Sequence, residues 1–190
     1  QLTSLDFRNG YNHNAGLFSA TGNSNLNCIS VDDANWATAN WTNIDAHTSF
    51  SDDCYLSSLP SYNSNDFVIN INTNNNDPSS GLTNNQINLN FTGEYNVSAE
   101  NITSGVVETF NNLNNNQTLT FADGPGNYLL SISSTGSNPL NRFQISSNAI
   151  IDIVNWGSIS WSSFEYAFRN KDTLKISASD SPDLSSATSM

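Results

Sequence analysis

His13 and His47 are the two histidines of the chain, so any general acid–base chemistry near neutral pH has to begin with them. His13 lies between Asn12 and Asn14, the setting of a surface turn and not of a poised base. His47 could join Asp45 and a nearby serine. A nucleophile of that kind needs a strained Gly-x-Ser-x-Gly elbow or a comparable context, and none is present. The adjacent acids Asp32-Asp33 and Asp52-Asp53 are the other candidates, since two carboxylates cleave glycosides when held roughly 5–10 Å apart. Neighbouring residues on a strand point to opposite faces, so neither pair can flank one bond unaided. The same oxygens suit calcium better, although no EF-hand spacing or glycine-rich calcium repeat accompanies them. The expected catalytic set and metal set are therefore empty, with no resident cofactor and calcium as the alternative. Cys28 and Cys54 are the whole thiol inventory. Their spacing makes no CxxC redox or zinc motif, which leaves an extracellular disulfide as the leading reading and two buried free thiols as the alternative.

The surroundings of these residues are polar and anionic. The formal net charge is −12, and Arg8, Arg142, Arg169, Lys171 and Lys175 are the only cations, so nucleic acid and anionic membranes are disfavoured as partners. About one residue in six is asparagine and about one in four is serine or threonine, well above ordinary usage. Such a surface suits a secreted protein in salty water. No apolar run approaches the roughly 20 residues that span a bilayer, and no charged n-region with an apolar h-region opens the chain. Gln1 thus reads as a fragment start or a mature terminus. Sequons occur at Asn40, Asn90, Asn96, Asn101 and Asn116, but in so Asn-, Ser- and Thr-rich a chain they carry no information about compartment.

The elements that must position these groups are short strands. Leu2, Leu5 and Phe7 recur as Leu26, Ile29 and Val31, 24 positions later, a period inside the range of leucine-rich solenoids. Asn9, Asn12 and Asn14 are candidates for the inward asparagine that satisfies backbone groups at the turn of such a coil. After a Ser-, Asn- and Pro-rich linker, period-two alternation marks strands at 67–73, 86–92, 95–99, 106–110, 118–121, 128–133 and 142–146, with turns at 74–81, 111–116 and 123–126. Short strands at this spacing predict a β-sandwich. From Ile150 the order changes to an apolar strand, Asn155-Trp156-Gly157, an amphipathic run of one or two helical turns through Trp161, Phe164 and Phe168, and a short strand at Leu174 and Ile176. That is one coil of a solenoid, and it asks for another coil after Met190.

Three resemblances follow from these residues. Trp156-Gly157, Trp161, Ala167-Phe168, Leu174 and the run Asp180–Ser185 through Thr188-Ser189-Met190 resemble the opening unit of BspA-like leucine-rich repeats of Bacteroidetes surface proteins, with a departure at Arg169-Asn170-Lys171. The stretches Asn25–Asp33, Asn40–Asp45 and Phe50–Cys54 resemble the C-terminal cap of flavobacterial leucine-rich-repeat proteins. That resemblance implies that Trp36 and Trp41 cover the open end of the apolar core and that Cys28 to Cys54 staples the cap. Leu119–Ser133 resembles the late strands of polycystic-kidney-disease (PKD) domains, although Glu100–Gly105 replaces their Trp-Gly-Asp-Gly turn.

The expected fold is mainly β: a leucine-rich-repeat segment with its cap at 1–54, a linker at 55–65, a PKD-like or immunoglobulin-like sandwich at 66–147, and a truncated first BspA-like repeat at 148–190. The expected function is non-enzymatic. The chain reads as a module of a long secreted or cell-surface protein, acting in adhesion or as a stalk, with other copies or neighbouring repeats as partners and a surface protein or glycan as a further one. A repeating subunit of an extracellular fibre is one alternative. A carbohydrate-binding accessory module of a secreted polysaccharide-degrading enzyme is the other.

Overall fold

Leu5, Ile29 and Phe50 stand side by side across three parallel strands, β1 (Leu5–Asp6), β2 (Cys28–Ser30) and β3 (Ser49–Ser51). The pairing offsets are 24 and 21 residues, so one chain turn separates each strand from the next. The computed structural model describes residues 1–10, 12–52, 54, 59–76, 80–144, 147–169, 171 and 174–188. The chain is mainly β, with 37% strand and 9% helix, and divides into two units, Gln1–Leu59 and Pro60–Met190.

In the first unit one helix, α1 (Ala34–Asn40), follows β2. Asp33 caps it by accepting the Trp36 N–H at 2.8 Å, as a short carboxylate at an extended N-cap residue can. The core holds Leu26, Ile29, Val31, Ala37 and Trp41, with Phe7, Phe18 and Phe50 packed against it. Trp41 stacks on Phe18 at 4.6 Å and is buried, whereas Trp36 meets it edge-on at 5.4 Å and is half-buried. Cys28 and Cys54 are disulfide-bonded, with Cα atoms 5.7 Å apart.

The second unit is built from two sheets. One has three antiparallel strands in the order β10 (Arg142–Gln144), β5 (Gln86–Thr92), β8 (Gln117–Thr120). The other has six, in the order β12 (Lys175–Ile176), β11 (Ile150–Asn155), β4 (Phe67–Asn72), β9 (Asn127–Ser134), β6 (Glu94–Asn101), β7 (Val107–Asn114). Strict alternation in β5, with Ile87, Leu89 and Phe91 buried between less buried polar residues, turns one face of the small sheet to the core. Both sheets contribute to a single apolar cluster centred on Phe67, whose ring lies 5.0 Å from those of Phe143 and Trp161.

Three boundaries differ from the sequence reading. Residues 148–190 are not separate from the strands before them, because β11 pairs antiparallel with β4 inside the six-stranded sheet and Trp156, Ile159, Trp161, Phe164 and Ala167 complete the apolar core of the second unit. β4 needs a neighbour on that side, and Ile150 and Ile153 supply inward apolar residues for it. The amphipathic run after Trp156 forms turns instead of a helix, with Tyr166 at φ 61. The expected linker at 55–65 lies partly outside the described residues, and its later part is held in place: Asn155 donates to the Ser64 and Asp66 carbonyls at 3.0 and 2.8 Å. Finally, the asparagine run expected as a turn at 111–116 continues β7 as far as Asn114, across a register shift opposite Tyr95–Val97. Asn112 sits at φ 57, a left-handed conformation asparagine tolerates, which lets the strand take the irregularity and carry on. Ile145 and Ser146, expected at the end of β10, lie outside the described residues.

Candidate functional site

The acids weighed for chemistry tie successive turns of the chain together. Asp32, two residues beyond β2, accepts the N–H groups of Asn9 and Asn12, both at 3.3 Å, in the turn that follows β1. Asp52, just beyond β3, accepts the Ala34 N–H at 2.7 Å in the turn that follows β2. On the returning side, Asp45 takes Gly22 N–H at 3.0 Å and Asn23 N–H at 2.8 Å. Each carboxylate therefore closes off amides of the coil before its own. The second unit repeats the device: Asp180, beyond β12, accepts Trp156 N–H at 3.0 Å and Gly157 N–H at 2.8 Å in the turn after β11. There the parallel pairing offset is 23 residues, and a further bridge joins Ser160 to Asp183 at the same offset.

Asn12 is the inward asparagine of the three candidates. It is 1% exposed, its amide donates to the Phe7 carbonyl at 2.8 Å, and its oxygen accepts the Asp32 N–H. Asn14 is exposed. Asn12 and Asp32 thus exchange bonds in both directions between two coils, which fixes their vertical register.

Backbone hydrogen bonds also set the electrostatics of three carboxylates. Hydrogen bonds from the Gly22 and Asn23 amides hold the Asp45 carboxyl below its ordinary value. The Trp36 N–H does the same for Asp33, with His13 adding to it. The amide and hydroxyl of Ser185 lower Asp183. In the sandwich, burial pushes the Tyr95 and Tyr128 hydroxyls up, and each donates to a carbonyl, Asn115 at 2.8 Å and Gly124 at 2.6 Å.

The histidines and acids weighed for catalysis take other partners. His13 Nε2 lies 3.3 Å from Asp33 Oδ2, with the ring 4.7 Å from that of Trp36. His47 Nε2 lies 3.4 Å from the Asn23 carbonyl, while both Asp45 oxygens are taken by backbone amides. Asp32 and Asp33 diverge, one to the preceding coil and one to the helix N-terminus. Asp53 lies outside the described residues. Among the described residues, no three His, Cys, Asp or Glu side chains converge as a metal site. Sequence reasoning looked at the acids as adjacent pairs and missed that one member of each follows a strand. That position, recurring about 20 residues apart at Asp32 and Asp52, is the signal that could have revealed the ladder. Comparison of the chain with protein-family models, curated proteins and solved structures finds no match.

Proposed function

We propose that the chain is a non-enzymatic module of a long secreted or cell-surface protein, serving adhesion or acting as a stalk. The observation that carries this reading is the carboxylate ladder, in which each coil's acid satisfies the exposed amides of the coil before it. Such a device depends only on nearest neighbours, so it extends to any number of coils, as a spacer requires. On this reading residues 1–54 are leucine-rich-repeat coils closed by a flavobacterial-type cap, and 66–147 form a PKD-like or immunoglobulin-like sandwich. Residues 148–190 are then the first BspA-like coil, with its opening strand shared with the sandwich. The parallel offsets of 24, 21 and 23 residues support it, because they fall within the roughly 20–29-residue span of leucine-rich repeats. The disulfide suits an oxidising exterior. Neighbouring repeats or other copies are the natural partners, with a surface protein or glycan bound through a broad face.

One observation favours the fibre reading as the second choice: β1 and β12 are outermost in their sheets, and among the described residues both take part only in parallel pairing. An outermost parallel strand is a template for another coil. The test of the main reading is turnover. Incubation with a panel of polysaccharides and peptides, followed by reducing-end and amine release, is expected to show no product. Hydrolysis that disappears in His47→Ala or Asp45→Ala overturns it. Sedimentation velocity separates stalk from fibre, since only the fibre reading expects open-ended, concentration-dependent growth.

A further inference from the structure

A groove within the second unit has a volume of about 350 Å³ and runs between Asn65-Asp66, the end of β9 at Ser133-Ser134, the loop Pro139–Asn141 and the turn Ser158–Ser160. Its walls are fixed before any ligand arrives. Ser158 donates through its N–H and its hydroxyl to the Asn65 carbonyl at 2.9 and 3.2 Å, and Ser131 donates to Asp66 Oδ2 at 2.6 Å. Opposite, Leu140 N–H donates to Ser134 Oγ at 2.8 Å, and Ser162 donates to the Asn141 carbonyl at 3.1 Å. Gly157 lets the walls meet. A Cβ there would lie 2.5 Å from the Asn65 and Asp66 carbonyl oxygens, and its φ of +68 is one that side-chain-bearing residues avoid.

The groove also keeps hydrogen-bonding capacity of both kinds in reserve. Asp66 Oδ1 is an acceptor with no protein partner among the described residues, and the same holds for the side-chain amide of Asn65, the Asn141 Nδ2 donor and the Ser133 hydroxyl. The apolar part of the lining is Leu140 and Ile159, both buried, with Pro139 at the rim. None of the lining residues is a cation, and Asp66 is the one carboxylate among them.

We infer that this groove binds a neutral carbohydrate of one or two pyranose units. Sugar hydroxyls donate and accept at once, which matches a carboxylate oxygen, two amides and a hydroxyl held on rigid walls. Exposed apolar surface for the C–H face of a pyranose comes from Pro139 at the rim, with the buried Leu140 and Ile159 behind it. A uronate or sulfated sugar would meet Asp66 without a compensating cation, and a calcium ion would find a single carboxylate to offset its charge. The volume lies at the lower end of the roughly 300–1,000 Å³ of ligand clefts, and preorganised walls reduce the ordering cost of binding. This site deepens the adhesion reading, in which a glycan is one of the partners, and rests on it. The turnover panel above tests that reading separately, so loss of the sugar site and loss of the non-enzymatic role give different results.

The experiment is titration of the full 190-residue chain with neutral mono- and disaccharides of glucose, galactose, mannose and N-acetylglucosamine, followed by ligand-observed NMR and calorimetry. Galacturonate is the anionic counterpart, and calcium chloride is run alone. At least one neutral sugar is expected to bind with millimolar or better affinity, weakened ten-fold or more by Asp66→Asn and by Asn141→Ala and unchanged by Asn111→Ala on the exposed β7. Asp66→Asn preserves an acceptor for Ser131, so folding is retained, and an unchanged thermal midpoint verifies it. The proposal is overturned if no neutral sugar binds, if binding survives both groove substitutions in folded protein, or if galacturonate or calcium is the better ligand.

Discussion

Asn12 shows how one side chain can decide a fold of this kind. It is almost wholly buried in a polar exchange with Phe7 and Asp32, so truncation removes a donor and an acceptor together and strands two backbone groups. Asn12→Ala is expected to destabilise the first unit by about 1–3 kcal/mol, the usual cost of a buried unsatisfied polar group. Asn14→Ala, two positions away and exposed, is expected to stay within about 0.5 kcal/mol. Urea unfolding followed by tryptophan fluorescence checks both, since Trp36 and Trp41 report on this unit. Equal effects at the two positions would remove Asn12 from its role. Nothing in the sequence singles it out among Asn9, Asn12 and Asn14, because all three have the right chemistry and only the three-dimensional turn selects one.

At the scale of elements, stability depends on ionised carboxylates that accept backbone amides: Asp45 in the ladder, Asp33 at the helix N-cap and Asp183 in a local turn. Asp33, Asp45 and Asp183 have folded-state values below the ordinary 3.8, each chiefly because backbone amides donate to the charged form. A depressed carboxyl contributes stability that is complete above its unfolded value and is lost as pH falls through the folded one. The thermal midpoint is therefore expected to be flat with respect to these groups from pH 7 to about 5 and to drop below pH 4. Asp45→Asn, which keeps the shape but loses the charge, is expected to lower the midpoint at pH 7 and to flatten part of the acid drop. An acid limb identical in the variant would show that Asp45 is a bystander. The strands were legible where one face is buried: β5 runs over Gln86–Thr92 as the alternation of Ile87, Leu89 and Phe91 indicates. β11 was legible as a strand from Ile150, Ile153 and Val154, but its partner was not. Apolar alternation does not say whether the neighbour is the next coil or Phe67–Asn72, about 80 residues earlier, and here it is both.

That double pairing sets the behaviour of the whole molecule. β11 lies between antiparallel β4 and parallel β12, so it joins the antiparallel strands to a parallel pairing of 23-residue offset. The core follows the same logic, with Phe67 and Phe143 from the sandwich strands enclosed by Trp156, Trp161 and Phe164 from the segment that follows β11. Losing one such ring costs about 3–5 kcal/mol, so losing three removes about 9–15 kcal/mol, comparable to the roughly 5–15 kcal/mol that holds an ordinary domain together. A fragment of residues 60–147 is therefore expected to lack a cooperative thermal transition, even though it contains nearly all of the alternating strands. The excised segment 150–190 is expected to lack one as well, because Trp161 and Phe164 then have too little partner surface. Trp161→Ala in the full chain is the milder test, with an expected loss of about 3–5 kcal/mol because this indole is 0% exposed. Calorimetry of the two fragments and the variant separates the possibilities: a cooperative transition from residues 60–147 would mean that the sandwich closes its core without β11, and that the C-terminal coil is an addition to it instead of its fourth wall.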